Sequence, residues 1–322
     1  MKAIMVHEFG GPEALKYEDR PTPEPGAGEV RVKVEAIGVN FIDTYHRGGL
    51  YKNPLPLALG QEGAGRVVAL GAGVTEFAVG DHVAWKDQFG SYAEEVAIPV
   101  AKLVPVPEGV SSRDAAATML QGMTAHYLSH STFPLQEGNA CLIHAGAGGV
   151  GRLLIQMAKM RGARVLTTAG SAEKGQMARA VGADEVVLYR QDDFAEAARR
   201  FTGGKGVDVV YDGVGKDTFD KGLTALRTRG MMVLFGQASG PVPPLDPQIL
   251  NARGSLFLTR PVLGAYTLDR EELLWRAKDL FGWIAAGTLK LHIGASYPLA
   301  EVAQAHRDLE GRKTTGKVVL IP

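Results

Sequence analysis

The chain has 322 residues, long for one domain and comfortable for two, each able to bury a core. Lys plus Arg equals Asp plus Glu at 35 each, so no overall field draws the protein to nucleic acid or an anionic membrane. The single cysteine, Cys141, excludes an intramolecular disulfide and a cysteine-built zinc site, and with no leader and no long apolar run a cytoplasmic enzyme without a membrane partner is expected.

From Met1 to about Val106, short β runs are divided by Gly and Pro. Val30, Val32, Val34 and Ala36 alternate with Arg31, Lys33 and Glu35, the period of a strand with one buried face. Similar runs follow at Arg66 to Leu70, His82 to Trp85 and Tyr92 to Ile98, with turn signals at Pro23 to Gly28 and Gly71 to Gly73, so a compact β barrel or sandwich is expected. A helix begins at Ser111 or Ser112, either of which can cap it, and the domain boundary is expected after Gly122.

The next segment carries the clearest motif. Leu142 and Ile143 suit a buried parallel strand, and Gly146, Gly148 and Gly151 complete G-x-G-x-x-G where that strand must turn, admit a pyrophosphate and pack against a helix. Val150, Leu154, Met157 and Ala158 then fall at helical spacing, Gly162 stops the helix, and Val165-Leu166 opens a second strand. Strands and helices alternate onward to about Arg260, which argues for a doubly wound parallel sheet with its ligand beyond the carboxyl ends of the strands, near Tyr189, Gly213 and Phe235-Gly236. At the end of the second strand, where NAD-binding versions carry an acidic residue, the chain reads Thr167-Thr168-Ala169-Gly170-Ser171 with Lys174 close behind. That favours NADPH: Ser171 can donate to a 2′-phosphate and Lys174 supplies charge, unless Lys174 is simply a solvated helix lysine.

After Leu256 to Thr259, Arg260-Pro261 ends the last strand of this domain. A helix from about Leu268 to Ala285 follows, closed by Gly287, and Gly316 to Ile321 is a strand expected to return to the N-terminal β domain. The expected division is therefore residues 1–122 with 261–322, and 123–260 between them. Strand addition at the Leu256 to Thr259 edge would give a homodimer.

Taken together, Gly38-Val-Asn40-Phe-Ile-Asp43-Thr-Tyr45, Gly60-Gln-Glu62-Gly-Ala-Gly65, Gly80-Asp81-His-Val83, His144 to Gly151, Tyr211-Asp-Gly-Val-Gly215, Leu234-Phe-Gly236 and Gly316-Lys-Val-Val-Leu320 resemble the medium-chain dehydrogenase/reductase superfamily. Within it the chain resembles the zinc-free quinone oxidoreductases, the zeta-crystallin-like branch. The resemblance implies an α/β architecture in which a Rossmann NADPH-binding domain is inserted into a chaperonin-10-like β-barrel catalytic domain, with hydride passing to a quinone in the interdomain cleft. Zinc alcohol dehydrogenases place a cysteine where this chain has Asn40 and a histidine where it has Gln61, so no metal is expected, and His46 and His82 read as surface or hydrogen-bonded histidines.

The resemblance further implies a substrate pocket lined by Asn40, Asp43, Tyr45 and Tyr51. An amide and a phenol there would hydrogen-bond the quinone oxygens as charge develops, while Asp43 is better suited to fixing the Tyr or Asn geometry. It also assigns Lys174, Tyr189 and Arg312 to the 2′-phosphate, with Gly146, Gly148, Gly149, Val150, Gly151, Gly170, Ser171, Phe235, Gly236, Ser239, Thr124 and Tyr127 bordering the cofactor. The enzymatic alternative is an alkenal or enone reductase. The non-enzymatic one is an RNA-binding or crystallin-like protein, which the neutral charge and the lack of a Lys/Arg stripe disfavour.

Overall fold

A computed structural model describes residues 1–322. The chain divides into two compact units, one comprising Met1–Met123 and Thr267–Pro322, the other Thr124–Tyr266.

The first unit is mainly β. In chain order it contains β1 (Lys2–Val6), β2 (Leu15–Asp19), β3 (Glu29–Val39), α1 (Phe41–Arg47), β4 (Leu57–Ala58), β5 (Gly63–Leu70), β6 (His82–Trp85), β7 (Glu95–Pro99), β8 (Leu103–Pro105) and the start of α2 (Ser112–Tyr127). Strand β3 is its spine. Val30, Val32, Val34 and Ala36 are buried along one face, and the strand pairs antiparallel with both β5 and β7. Ser111 caps α2, its hydroxyl oxygen accepting the Asp114 N–H at 3.1 Å.

The second unit runs β9 (Ala140–Ile143), α3 (Gly149–Met160), β10 (Arg164–Ala169), α4 (Ala172–Arg179), β11 (Glu185–Leu188), α5 (Phe194–Phe201), β12 (Val207–Asp212), α6 (Phe219–Ala225), β13 (Leu226–Leu234), α7 (Gln248–Ala252) and β14 (Phe257–Thr259). Its six strands are all parallel in the order β11-β10-β9-β12-β13-β14, so the order reverses between β9 and β12. This is the Rossmann arrangement, and it puts the ends of β9 and β12 at the switch point. Every residue of β9 is buried, as a strand covered on both faces requires.

The chain then returns to the first unit with α8 (Arg270–Ala285), β15 (Ile293–Pro298), α9 (Val302–Glu310) and β16 (Lys317–Ile321). Strand β16 pairs antiparallel with β3, Val319 facing Gly38, and parallel with β15. Two boundaries differ from the sequence reading. Residues 261–266 stay with the Rossmann unit, where Tyr266 stacks face to face on Tyr127 with ring centroids 4.3 Å apart. Helix α8 starts at Arg270 because the Asp269 side chain accepts the Glu272 N–H at 2.7 Å, which leaves Leu268 outside the helix and exposed. No helix is long and apolar enough to cross a membrane.

Candidate functional site

In the Rossmann unit, α3 begins immediately beyond the carboxyl end of β9, with Gly148 at its N-cap and no side chain capping it. Its first-turn N–H groups, those of Gly149, Val150 and Gly151, therefore have no acceptor within the helix and favour an anion. The glycines are required by close approach. A β-carbon at Gly151 would lie 2.3 Å from the Ala145 carbonyl oxygen, and one at Gly146 would lie 2.2 Å from the Thr167 hydroxyl. Ala145 itself adopts the left-handed conformation, φ 55°.

Two threonines at the end of β10 fix this loop. Thr167 donates to the Ile143 carbonyl at 2.6 Å, and Thr168 accepts the Ala145 N–H at 3.2 Å while lying 3.1 Å from His144 Nδ1. Burial holds His144 below the usual histidine range, so its ring is neutral at pH 7. Just past β10, Ser171 is the N-cap of α4 and accepts the Lys174 N–H at 3.3 Å. Its hydroxyl proton remains a donor. Tyr189, 40% exposed at the end of β11, hangs its hydroxyl over Gly170, where a β-carbon would approach it to 3.1 Å. Gly170, Ser171, the first turn of α4 and Tyr189 thus form one polar corner.

On the other side of the switch point the organiser is Asp212, a residue given no role by the sequence reading. Fully buried, it accepts the N–H groups of Val214 and Gly215 at 2.7 and 3.0 Å and the Thr218 hydroxyl at 2.8 Å. Its signal in the sequence is an aspartate directly before Gly213 at a strand end, an Asx turn. Phe235 packs on Gly213, Gly236 approaches the Gly213 backbone too closely for a side chain, and Ser239 donates to the Val214 carbonyl at 2.8 Å. Thr124 and Tyr127 belong to this unit as well, both buried.

In the first unit, α1 follows directly on β3. Asn40 sits at its N-cap, and the Asn40 N–H donates to the Asp43 carboxylate at 2.8 Å. Asp43 is fully buried, and Asn40 is nearly so. The same Asp43 oxygen accepts the Tyr92 hydroxyl at 2.8 Å, and the other has no partner. Burial pushes the Asp43 carboxyl up to about 7. Tyr92 also lies 3.2 Å from His306 Nε2, whose Nδ1 accepts from Arg47 at 3.0 Å, and Arg47 is bidentate to Glu310. Arginine only donates, so a neutral His306 carries its proton on Nε2 and passes a donated bond to Tyr92, which donates to Asp43. The Tyr45 and Tyr51 rings meet edge to face, centroids 5.5 Å apart, and Tyr51 packs on His46, which accepts from Asn53 at 2.7 Å. His82 lies 2.8 Å from the Ser112 hydroxyl. Arg312 is in the turn between α9 and β16.

Three motif segments meet at one buried point. Lys317, the first residue of β16, donates to Asn40 Oδ1 at 2.9 Å and pairs with Glu62 Oε1, while Glu62 Oε2 accepts the Leu120 N–H at 2.5 Å. A β-carbon at Gly38 would run into the Glu62 carboxylate, so that position must be glycine.

The sequence matches the model of the alcohol dehydrogenase GroES-like domain over residues 26–108 and that of the zinc-binding dehydrogenase over residues 149–276. It is 46% identical to a quinone oxidoreductase of Pseudomonas aeruginosa, across all of this chain and 99% of that protein. The chain belongs to the medium-chain dehydrogenase/reductase superfamily, in its quinone oxidoreductase branch. The Escherichia coli quinone oxidoreductase solved with NADPH superposes with a TM-score of 0.98 at 42% identity over the full length of both chains. A 2-haloacrylate reductase of a Burkholderia species is 43% identical over 99% of this chain and 98% of that protein.

The superfamily implies two groups, and the residues fit one. The glycine cradle and uncapped α3 suit a dinucleotide pyrophosphate. They do not suit zinc: the Asn40 amide oxygen is already bonded to an ammonium, Gln61 offers an amide, and no cluster of three His, Cys, Asp or Glu side chains could hold a metal.

Proposed function

We propose that this protein is an NADPH-dependent quinone reductase working without zinc, with the site residues in the roles that follow. The observation that carries this reading is full-length similarity to quinone oxidoreductases, one of them solved with NADPH, in a chain whose second Rossmann strand ends without an acidic residue. The chemistry supplied by bound NADPH is hydride donation to an acceptor.

The protein's part is binding and electrostatics. Gly146, Gly148, Gly149, Val150 and Gly151 offer backbone N–H groups and close approach to the pyrophosphate. Gly170, Ser171, Lys174 and Tyr189 receive the 2′-phosphate, with a hydroxyl proton and a positive charge where a carboxylate would repel it, and Arg312 adds a second charge. Phe235, Gly236, Ser239, Thr124 and Tyr127 border the cofactor. Asn40, Tyr45 and Tyr51 orient the acceptor, the amide N–H and phenol O–H stabilising its oxygens as negative charge grows. Asp43 acts on this set only through the start of α1, which its carboxylate holds.

The 2-haloacrylate reductase relative favours one second reading, reduction of an activated carbon–carbon double bond by the same parts. Both acceptors are electrophilic enough to take hydride without a Lewis acid. Following NADPH oxidation with benzoquinone, a naphthoquinone, a simple enone and 2-chloroacrylate, in chelator-treated buffer and with NADH as control, separates them. Quinone-dependent loss supports the first reading; turnover of the unsaturated compounds alone transfers the protein to the second. We also propose a cytoplasmic homodimer formed by addition at β14, the sheet's terminal strand, whose Phe257 is 57% exposed. Light scattering showing only monomer would dismiss the dimer.

A further inference from the structure

We infer that Lys317 is a positioning residue: its ammonium fixes the Asn40 amide so that the NH2 group, and not the carbonyl, is presented to the acceptor oxygen. This rests on the proposed reductase reading.

The geometry determines the amide's orientation. An ammonium has three donors and no acceptor, so the Asn40 atom 2.9 Å from Lys317 Nζ must be the oxygen. The NH2 group then lies on the other side, held only by a 3.4 Å contact to the Gly38 carbonyl, too long to fix it by itself. Without Lys317 the amide could turn and offer its oxygen, which would repel a quinone oxygen gaining negative charge.

Lys317 is in turn fixed. Its side chain is 3% exposed and its partner Glu62 is fully buried. Glu62 is held by the Leu120 N–H and seated in the space that Gly38 leaves empty. An ion pair this buried need not add stability over an apolar pair of the same volume. What it does supply is a donor in one place, delivered by the C-terminal strand to the first residue after β3.

Two sets of variants test this. Asn40→Asp keeps an acceptor for Lys317 but loses the N–H, so kcat for benzoquinone should fall on the order of a hundredfold or more, as for removal of a donor to a developing oxyanion, and as far as in Asn40→Ala. Lys317→Met made together with Glu62→Gln leaves no unpaired charge, and should lower kcat comparably with KM for NADPH unchanged. The decisive readout is a cycle: adding Asn40→Ala to that pair should lower kcat no further, because both changes remove the same donor. A multiplicative fall overturns the proposal, as does wild-type kcat in Asn40→Asp, a variant that retains the contact if the pair does not fold. Absence of quinone and enone turnover in the unaltered protein instead defeats the reductase reading itself.

Discussion

Asp43→Asn tests the buried network beside α1 through stability, independent of catalysis. The Asp43 carboxyl is moved by burial from an ordinary 3.8 to about 7, against the opposing pull of hydrogen bonds from Tyr92 and Asn40. A folded-state pKa raised this way means the native chain binds the proton more tightly than the unfolded one. The contribution is fully present below about pH 4 and is lost as pH rises through about 7, by about 4 kcal/mol for a shift of about three units. Asparagine is a neutral isostere of the protonated acid, with an oxygen for the same two donors. His306, pushed down to about 3 by burial and by the Arg47 charge, works in the opposite sense, its contribution being present above about 6.5 and lost as pH falls. Both proteins share His306, so the difference between them isolates Asp43. Urea unfolding of the two between about pH 4 and pH 8 should show similar stability at the acid end and an advantage for the variant that grows to about pH 7 and then levels off. A difference that stays flat across that range would refute the argument, since it would mean that Asp43 titrates at an ordinary carboxyl pKa or is not buried as described.

Three further outcomes follow from the candidate cofactor and substrate residues. Gly151→Ala pushes a methyl into the Ala145 carbonyl, a backbone atom that cannot swing aside, so NADPH affinity measured by fluorescence titration should fall at least about tenfold; unchanged affinity would remove this loop from the cofactor site. Lys174→Ala should raise KM for NADPH roughly tenfold, the worth of one charge-assisted contact, and leave KM for NADH nearly unchanged. Equal effects on both cofactors would take Lys174 away from the 2′-phosphate. Tyr45→Phe should lower kcat for quinone by about tenfold at constant KM for NADPH, and an unaltered rate would exclude the phenol from the chemistry.

The parts of the fold visible in the sequence are those where one short segment contains its own reason. Strand β3 announces itself by alternation because one face is buried, and the β9–α3–β10 unit does so because glycine, helical spacing and a second apolar run must occur together. Strand β15 carried no such signal. It lies at the edge of its sheet with residues alternating only between half-buried and exposed, so little apolar contrast is required of it. Residues 261–266 fall with the Rossmann unit, and the sequence does not signal it, for a related reason: the Tyr127–Tyr266 stack that holds them joins positions far apart in the chain.

The site divides the same way. Gly151 and Ser171 are legible because each acts on a neighbour a few residues away, and Gly146 because it completes the motif spacing even though the side chain it must avoid, Thr167, lies on the next strand. Asp43, Tyr92 and His306 form one line of hydrogen bonds drawn from α1, a loop and α9, and no spacing could reveal it. Lys317 is the extreme case, 277 residues from Asn40 and 255 from Glu62. Its motif, Gly316-Lys317-Val-Val-Leu320, reads as an ordinary terminal strand until register is known. Pairing of Val319 with Gly38 then sets the lysine beside the start of α1. At the position where zinc dehydrogenases carry a cysteine, the positive charge next to this chain's amide is therefore a lysine's, and it is brought there by the pairing of the last strand with the longest one.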